Sequence, residues 1–136
     1  MATNRNVVFA DGEIYHVYNR GVERRPVFTK KREHQRAVDT LAYYRFASLP
    51  MRYSQLLSLP PLAQETVWQR IRKNPIFEVH ILAYCLMPNH FHLMVKQTQE
   101  RGISRFMANV SNSYTKYFNT KYRRVGSLFL GPFKAV

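Results

Sequence analysis

Two histidines stand one residue apart in Met87-Pro88-Asn89-His90-Phe91-His92-Leu93-Met94-Val95. Pro88-Asn89 reads as a turn. Polar and apolar residues alternate after it, which predicts a strand from His90. Strand side chains alternate between faces, so His90 and His92 share one face and Phe91 and Leu93 the other. Neighbouring imidazoles with a greasy anchor behind them can share one divalent cation, Mn²⁺ or Mg²⁺. Two imidazoles alone suit Mg²⁺ poorly, because it prefers oxygen ligands, so phosphate or a third ligand would help. A bare His-x-His also arises by chance as a surface pair on a half-buried strand, and its setting has to decide.

Other side chains could carry chemistry. Tyr114 and Tyr117 are candidate nucleophiles. Both fall on the apolar stripe of a predicted helix, where a packed aromatic is the default. His16 lies on an earlier predicted strand and reads as a packed or partly exposed imidazole rather than a metal ligand. Arg20, Arg24 and Arg25 cluster near a predicted loop, where cations can meet phosphates. From Arg101 onward no acidic residue occurs. Arg105, Lys116, Lys121, Arg123, Arg124 and Lys134 lie there, interleaved with Tyr122, Phe129 and Phe133. Cations among aromatic rings suit single-stranded nucleic acid, since rings stack on splayed bases.

The whole composition agrees. The chain carries 21 Lys and Arg against 8 Asp and Glu, a formal charge of +13. Such an excess points to a polyanionic partner, most often nucleic acid. With 136 residues it forms a single domain, 1–136, with room for a real core. No stretch is long and apolar enough to span a bilayer. Met1-Ala2-Thr3-Asn4-Arg5-Asn6 lacks the apolar run of a signal peptide. The single cysteine, Cys85, sits in an apolar run and reads as a small core residue in a reducing cytoplasm.

The elements that must position these residues follow from periodicity. Ile14 to Asn19 alternates as a strand. Ile14, His16 and Tyr18 share one face, and Gly21 then permits a turn. Thr29 can cap a helix from about Lys30 to Ala47, with Ala37, Leu41, Tyr44 and Ala47 as its stripe. A helical insertion spans about 50–75, with short helices at Tyr53–Leu57 and Leu62–Lys73; Val67, Trp68 and Ile71 face inward. Ile76 to Leu86 reads as a central strand, joined to His90–Lys96 in a hairpin. Gly102 to Arg123 is a helix whose stripe includes Ile103, Phe106, Met107, Val110, Tyr114, Tyr117 and Phe118. Ser127 to Val136 reads as a last strand. The order is α+β, a ferredoxin-like β-α-β-β-α-β antiparallel sheet with a helical insertion after the first helix.

The stretch from Val79 to Val95 resembles the core of the HUH single-strand nucleases, named for histidine, hydrophobic residue, histidine. More narrowly it resembles the tyrosine transposases of small bacterial insertion sequences and the REP-associated tyrosine transposases. Tyr15-His16-Val17-Tyr18-Asn19-Arg20-Gly21 matches the opening strand of that family. Ser113-Tyr114-Thr115-Lys116-Tyr117-Phe118-Asn119 and Gly126-Ser127-Leu128-Phe129 match its second helix and the segment after it. The resemblance implies a ferredoxin-like fold and binding of single-stranded or hairpin DNA. It implies metal-dependent cleavage and joining, in which a tyrosine becomes linked to a 5′ phosphate. It places His90 and His92 at the metal. It puts the nucleophile on a further helix, in a segment like Tyr-Ile-x-x-Asn-Pro, whose Asn or Gln completes the metal site. No Tyr-x-x-x-Asn in matching context occurs here, so the domain is expected to be C-terminally incomplete relative to the family and inactive alone. The family commonly has Gln and Arg where this chain has Leu130 and Pro132. Insertion-sequence relatives often dimerise, so a homodimer is a further expectation. The alternative is a non-catalytic nucleic-acid-binding ferredoxin-like module, although the aromatic signature strand of an RRM is not evident.

Overall fold

The computed structural model describes residues 7–136; the stretch Met1–Asn6, read above as lacking a signal run, lies outside the described residues. The elements are β1 (Ile14–Arg20), α1 (Lys31–Tyr44), α2 (Tyr53–Leu57), α3 (Pro61–Lys73), β2 (Val79–Met87), β3 (His90–Gln97), α4 (Gly102–Tyr122) and β4 (Lys134–Ala135). The four strands form one sheet in the order β2-β3-β1-β4, and every neighbouring pair is antiparallel. This is the expected α+β arrangement. Among the described residues no helix is long and apolar enough to cross a membrane.

Alternation decides which face of the sheet is covered. Val17 pairs with Leu93 and Asn19 with Phe91, and these residues are buried, as is Val95. They pack under α1 and α4, whose Ala37, Leu41, Ile103, Phe106, Tyr114 and Phe118 complete the core. Each large apolar side chain so buried contributes about 1.5–3 kcal/mol. The opposite parity, carrying His16, Tyr18, Arg20, His90, His92 and Met94, belongs to a face that no helix of the described residues covers.

Buried polar side chains tie helices to sheet. Gln97 is fully buried; its amide donates to the Phe9 carbonyl and to Asp11, and its Oε1 accepts from Ile103 N at 3.1 Å, satisfying one free amide at the start of α4. A Cβ at Gly102 would stand 2.1 Å from the Glu78 carbonyl oxygen, so only glycine lets α4 start this close to the sheet. Glu33 is fully buried in α1. One carboxylate oxygen accepts from Thr29 N, Thr29 Oγ1 and Lys30 N at 3.0–3.3 Å, and the other from Lys121 and Tyr122 of α4. Burial alone would raise its pKa, but the hydrogen bonds from Tyr122, Thr29, Lys121 and Lys30 outweigh it and hold the carboxyl at about 2.

Several boundaries differ from those periodicity predicts. Thr29 does not cap α1; Lys30 is the capping residue and the Glu33 carboxylate takes the free amides instead. The helix stops at Tyr44 rather than Ala47, and the strand starts at Val79 rather than Ile76, for one reason. Phe46 forms an antiparallel bridge with Phe77, flanked by Ala47 N to Ile76 O and Glu78 N to Arg45 O. Helix α3 starts at Pro61, whose missing amide costs nothing at a first helical position. Ser127–Val136 is not a continuous strand. Leu128 and Phe129 turn into the core, Gly131 takes a positive φ of 58° before Pro132, and only Lys134–Ala135 forms a strand beside β1. The run read as a central strand, β2, is an edge strand. Cys85 is therefore exposed rather than in the core, opposite His92 on the uncovered face.

Candidate metal and nucleic-acid site on the uncovered sheet face

The β2–β3 turn at Pro88-Asn89 delivers His90 and His92 to the first positions of β3. Both imidazoles are half-buried on the uncovered face, with ring centroids 5.2 Å apart and planes at 88°. The β1–β3 register sets Arg20 opposite His90 and Tyr18 opposite His92. On its other side Tyr18 faces Lys134 of β4. One row across the sheet therefore reads Lys134, Tyr18, His92, Cys85, and the next reads Arg20, His90, Met87.

His16 joins this site, which its sequence context did not suggest. Its Nε2 is hydrogen-bonded to His92 Nδ1 at 2.8 Å. Its ring stacks 4.8 Å from Tyr18 and 5.0 Å from His92. The other histidine is oriented in a similar way: His90 Nδ1 lies 2.9 Å from Asn89 Oδ1, an acceptor, so this nitrogen carries the proton and Nε2 keeps its lone pair. The Asn89 amide points its nitrogen to the Arg24 carbonyl at 3.4 Å, consistent with that orientation. In both histidines Nδ1 is thus engaged and Nε2 is left for a ligand. The His92 pKa is lowered, by desolvation and then by the nearby His16 and His90, which keeps its lone pair available into mild acid. This donor set fits a divalent cation that takes its other ligands from elsewhere. Among the described residues no cluster of three or more His, Cys, Asp or Glu could hold a metal by itself.

The basic residues singled out in the sequence divide into groups. Arg20 and Lys134 share rows with His90 and His92. Arg24 and Arg25 are exposed in the loop after β1, which is fastened to the β2–β3 turn by Gly21 N to Asn89 O and by Val27 and Phe28 amides to Pro88 O. Arg105, Lys116 and Lys121 lie on α4, on the helical side of the sheet. Arg105 is ion-paired with Glu78 at 2.8 Å and Lys121 with Glu33 at 3.2 Å, so both serve the fold. Arg123 and Arg124 follow the end of α4; Arg124 is hydrogen-bonded to Asn119 and to the Ser127 carbonyl.

The candidate tyrosines also lie on the helical side. Tyr114 is buried, donates its hydroxyl to the Val27 carbonyl and has its pKa raised, chiefly by burial. The Tyr117 hydroxyl is buried too. Neither faces the histidines. The sequence signal for His16 and Tyr18 was present in the alternation of Ile14–Asn19; what alternation cannot supply is the strand they pair with.

A ferredoxin-like sheet with a paired His-hydrophobic-His motif on its open face defines an HUH-type domain. The family model described as "Transposase IS200 like" matches residues 11–133, and the chain belongs to that family. Two solved structures share the fold. One is a REP-associated tyrosine transposase bound to a REP hairpin, with a TM-score of 0.61 and 10% identity over 98% of this chain. This chain spans 61% of that one. The other is a protein from Deinococcus radiodurans assigned as a transposase, with a TM-score of 0.56 and 14% identity over 100% of this chain and 85% of that one. No curated protein matches the sequence.

Proposed function

We propose that this transposase-family domain binds single-stranded or stem-loop DNA on the uncovered sheet face and presents a phosphate to His90 and His92 for cleavage and joining. The observation that carries the reading is the pair of rows that bring Arg20, Lys134 and Tyr18 beside the two histidines. Cations there neutralise phosphates, and the Tyr18 ring offers a stacking surface. The likeness to a transposase bound to a REP hairpin favours a hairpin substrate. Arg24 and Arg25, on the loop beside the hairpin turn, would hold flanking phosphates.

His90 Nε2 and His92 Nε2 would hold Mn²⁺ or Mg²⁺. Bound there, the ion supplies Lewis acidity toward a phosphate oxygen. Asn89 and His16 keep the imidazoles in the tautomer that binds, with the His92 proton on Nδ1. In the reaction a tyrosine oxygen bonds to phosphorus, the bond to the 3′ oxygen breaks, and a 5′ phosphotyrosine forms. Tyr114 and Tyr117 are directed away from this face, which suits a nucleophile carried on the further helix that the family resemblance implies. Residues 1–136 by themselves then bind DNA without cleaving it. That same placement favours the second reading, a non-catalytic nucleic-acid-binding module.

The exposed thiol of Cys85 suits a reducing cytoplasm. The open edge of β2 bears exposed Leu82, Tyr84 and Met87, which suits pairing with a second copy of the chain. The deciding experiment incubates labelled hairpin DNA with Mn²⁺, this chain, and a tyrosine-bearing helix supplied in trans or by extension. Metal-dependent adduct formation lost in His90→Ala supports the nuclease reading. DNA binding with no adduct under any of these conditions supports the alternative.

A further inference from the structure

A second charged site lies on the other side of the molecule. A groove of about 1070 Å³ runs between α1, α2 and α4 and is lined by Arg32, Arg36, Arg52, Lys116, Asn112 and Tyr117, among others. Because α1 and α4 cover the Val17–Leu93 face of the sheet, this groove and the histidine pair are on opposite sides.

The groove is built for an anion in three respects. Arg32, Arg36, Arg52 and Lys116 form no ion pair with any described carboxylate, while the one acid in the lining, Glu78, is already taken by Arg105. The Arg36 guanidinium is held in place by rings rather than by a counter-charge, 4.6 Å from the Tyr117 centroid and 5.3 Å from that of Tyr53. Two buried polar atoms of adjacent side chains, Arg36 Nε and Tyr117 Oη, have no hydrogen-bond partner in the described structure. A buried donor left unpaired costs about 1–3 kcal/mol, and such atoms call for an explanation. After a small turn of the two side chains, an oxyanion with several acceptor oxygens would take both hydrogens and be neutralised by the surrounding cations.

We infer that this groove binds a phosphate group, with Arg36 and Tyr117 as its central donors and Arg32, Arg52 and Lys116 as its flanking charges. The site is independent of metal at the histidines and of the cleavage reading. The phosphate comes from a nucleic-acid backbone or from a free phosphate compound. A strand engaged at both sites has to pass round an edge of the sheet, since the two lie on opposite faces.

The test titrates the ¹⁵N-labelled chain with inorganic phosphate, thymidine monophosphate and the dinucleotide TpT, at constant ionic strength with chloride as reference. Saturable shifts are expected at Asn112, Lys116 and Thr120, the last also in the groove lining, and are absent with chloride. Affinity should fall about fivefold in Lys116→Gln, which removes one charge-assisted bond at an exposed position, and further in Arg36→Gln. His90→Ala should leave it unchanged. Saturation by TpT alone identifies a strand backbone; saturation by the monophosphate or inorganic phosphate identifies a free phosphate source. Linear, non-saturating shifts, or equal affinity in Lys116→Gln and wild type, overturn the site. Lys116→Gln keeps the test valid if Arg36→Gln does not fold.

Discussion

His16 Nε2 and His92 Nδ1 are 2.8 Å apart although the residues are separated by 76 positions in the chain. The contact leaves His92 Nε2 directed away from His16 and free to meet a ligand. In the proposed metal site His16 would thereby be a positioning residue, acting through His92.

Removing that contact should weaken metal binding without unfolding the domain. Partners of ligating histidines are typically worth about 10–100-fold in metal affinity. His16→Ala is expected to lower Mn²⁺ affinity by about 10-fold in the presence of a hairpin oligonucleotide, read from the free Mn²⁺ EPR signal. His16→Gln, which can still accept a hydrogen bond through Oε1, should recover part of the loss. Unchanged Mn²⁺ binding in His16→Ala contradicts the positioning role.

The cations should separate by location. Arg20→Gln and Lys134→Gln are each expected to weaken hairpin binding and to reduce the slope of log affinity against log salt by about 1, as a lost phosphate contact does. Arg105→Gln should instead lower stability, by about 1–2 kcal/mol, because it removes the only cation paired with the buried Glu78 carboxylate among the described residues and leaves it the Gln99 amide. Fluorescence anisotropy at several salt concentrations and urea unfolding resolve the two effects. An Arg105 variant that loses affinity and keeps its stability would contradict this division.

Acid should loosen the contact between α1 and α4. The Glu33 pKa is about 2 in the folded protein and ordinary in the unfolded chain. The unfolded state therefore binds the proton more readily. The stabilisation is fully present above about pH 5 and is lost as pH falls toward 2. Glu33→Gln is expected to cost about 2 kcal/mol at pH 7 and to flatten the acid limb of stability against pH. An acid limb equally steep in wild type and Glu33→Gln would show that other carboxylates carry it.

Tyr114 should matter for folding and not for chemistry. Tyr114→Phe removes the hydroxyl bonded to the Val27 carbonyl and should cost about 1 kcal/mol. In a reaction where a competent tyrosine is supplied, denaturing gels should show undiminished adduct from Tyr114→Phe and from Tyr117→Phe. Loss of the adduct band in a folded variant would place the nucleophile on α4.

Alternation is a local property, so the sequence alone determined that His90 and His92 share a face opposite Phe91 and Leu93, and that His16 and Tyr18 share a face of their own strand. The three-four stripe likewise determined that Tyr114 packs inward from α4, and the charge excess pointed to a polyanionic partner. Only the tertiary structure decided which strand lies beside which. Burial of Val17 against Leu93 sets the β1–β3 register, and that register carries His16 to His92 and Arg20 to His90. Sheet order put the apolar β2 at an edge and so exposed Cys85, although its run of residues looks like core. The same long-range packing sorted the cations, because ion pairs to Glu78 and Glu33 depend on where α4 lands. Periodicity specifies a face; pairing is selected by the summed burial of residues far apart in sequence, which no short window contains.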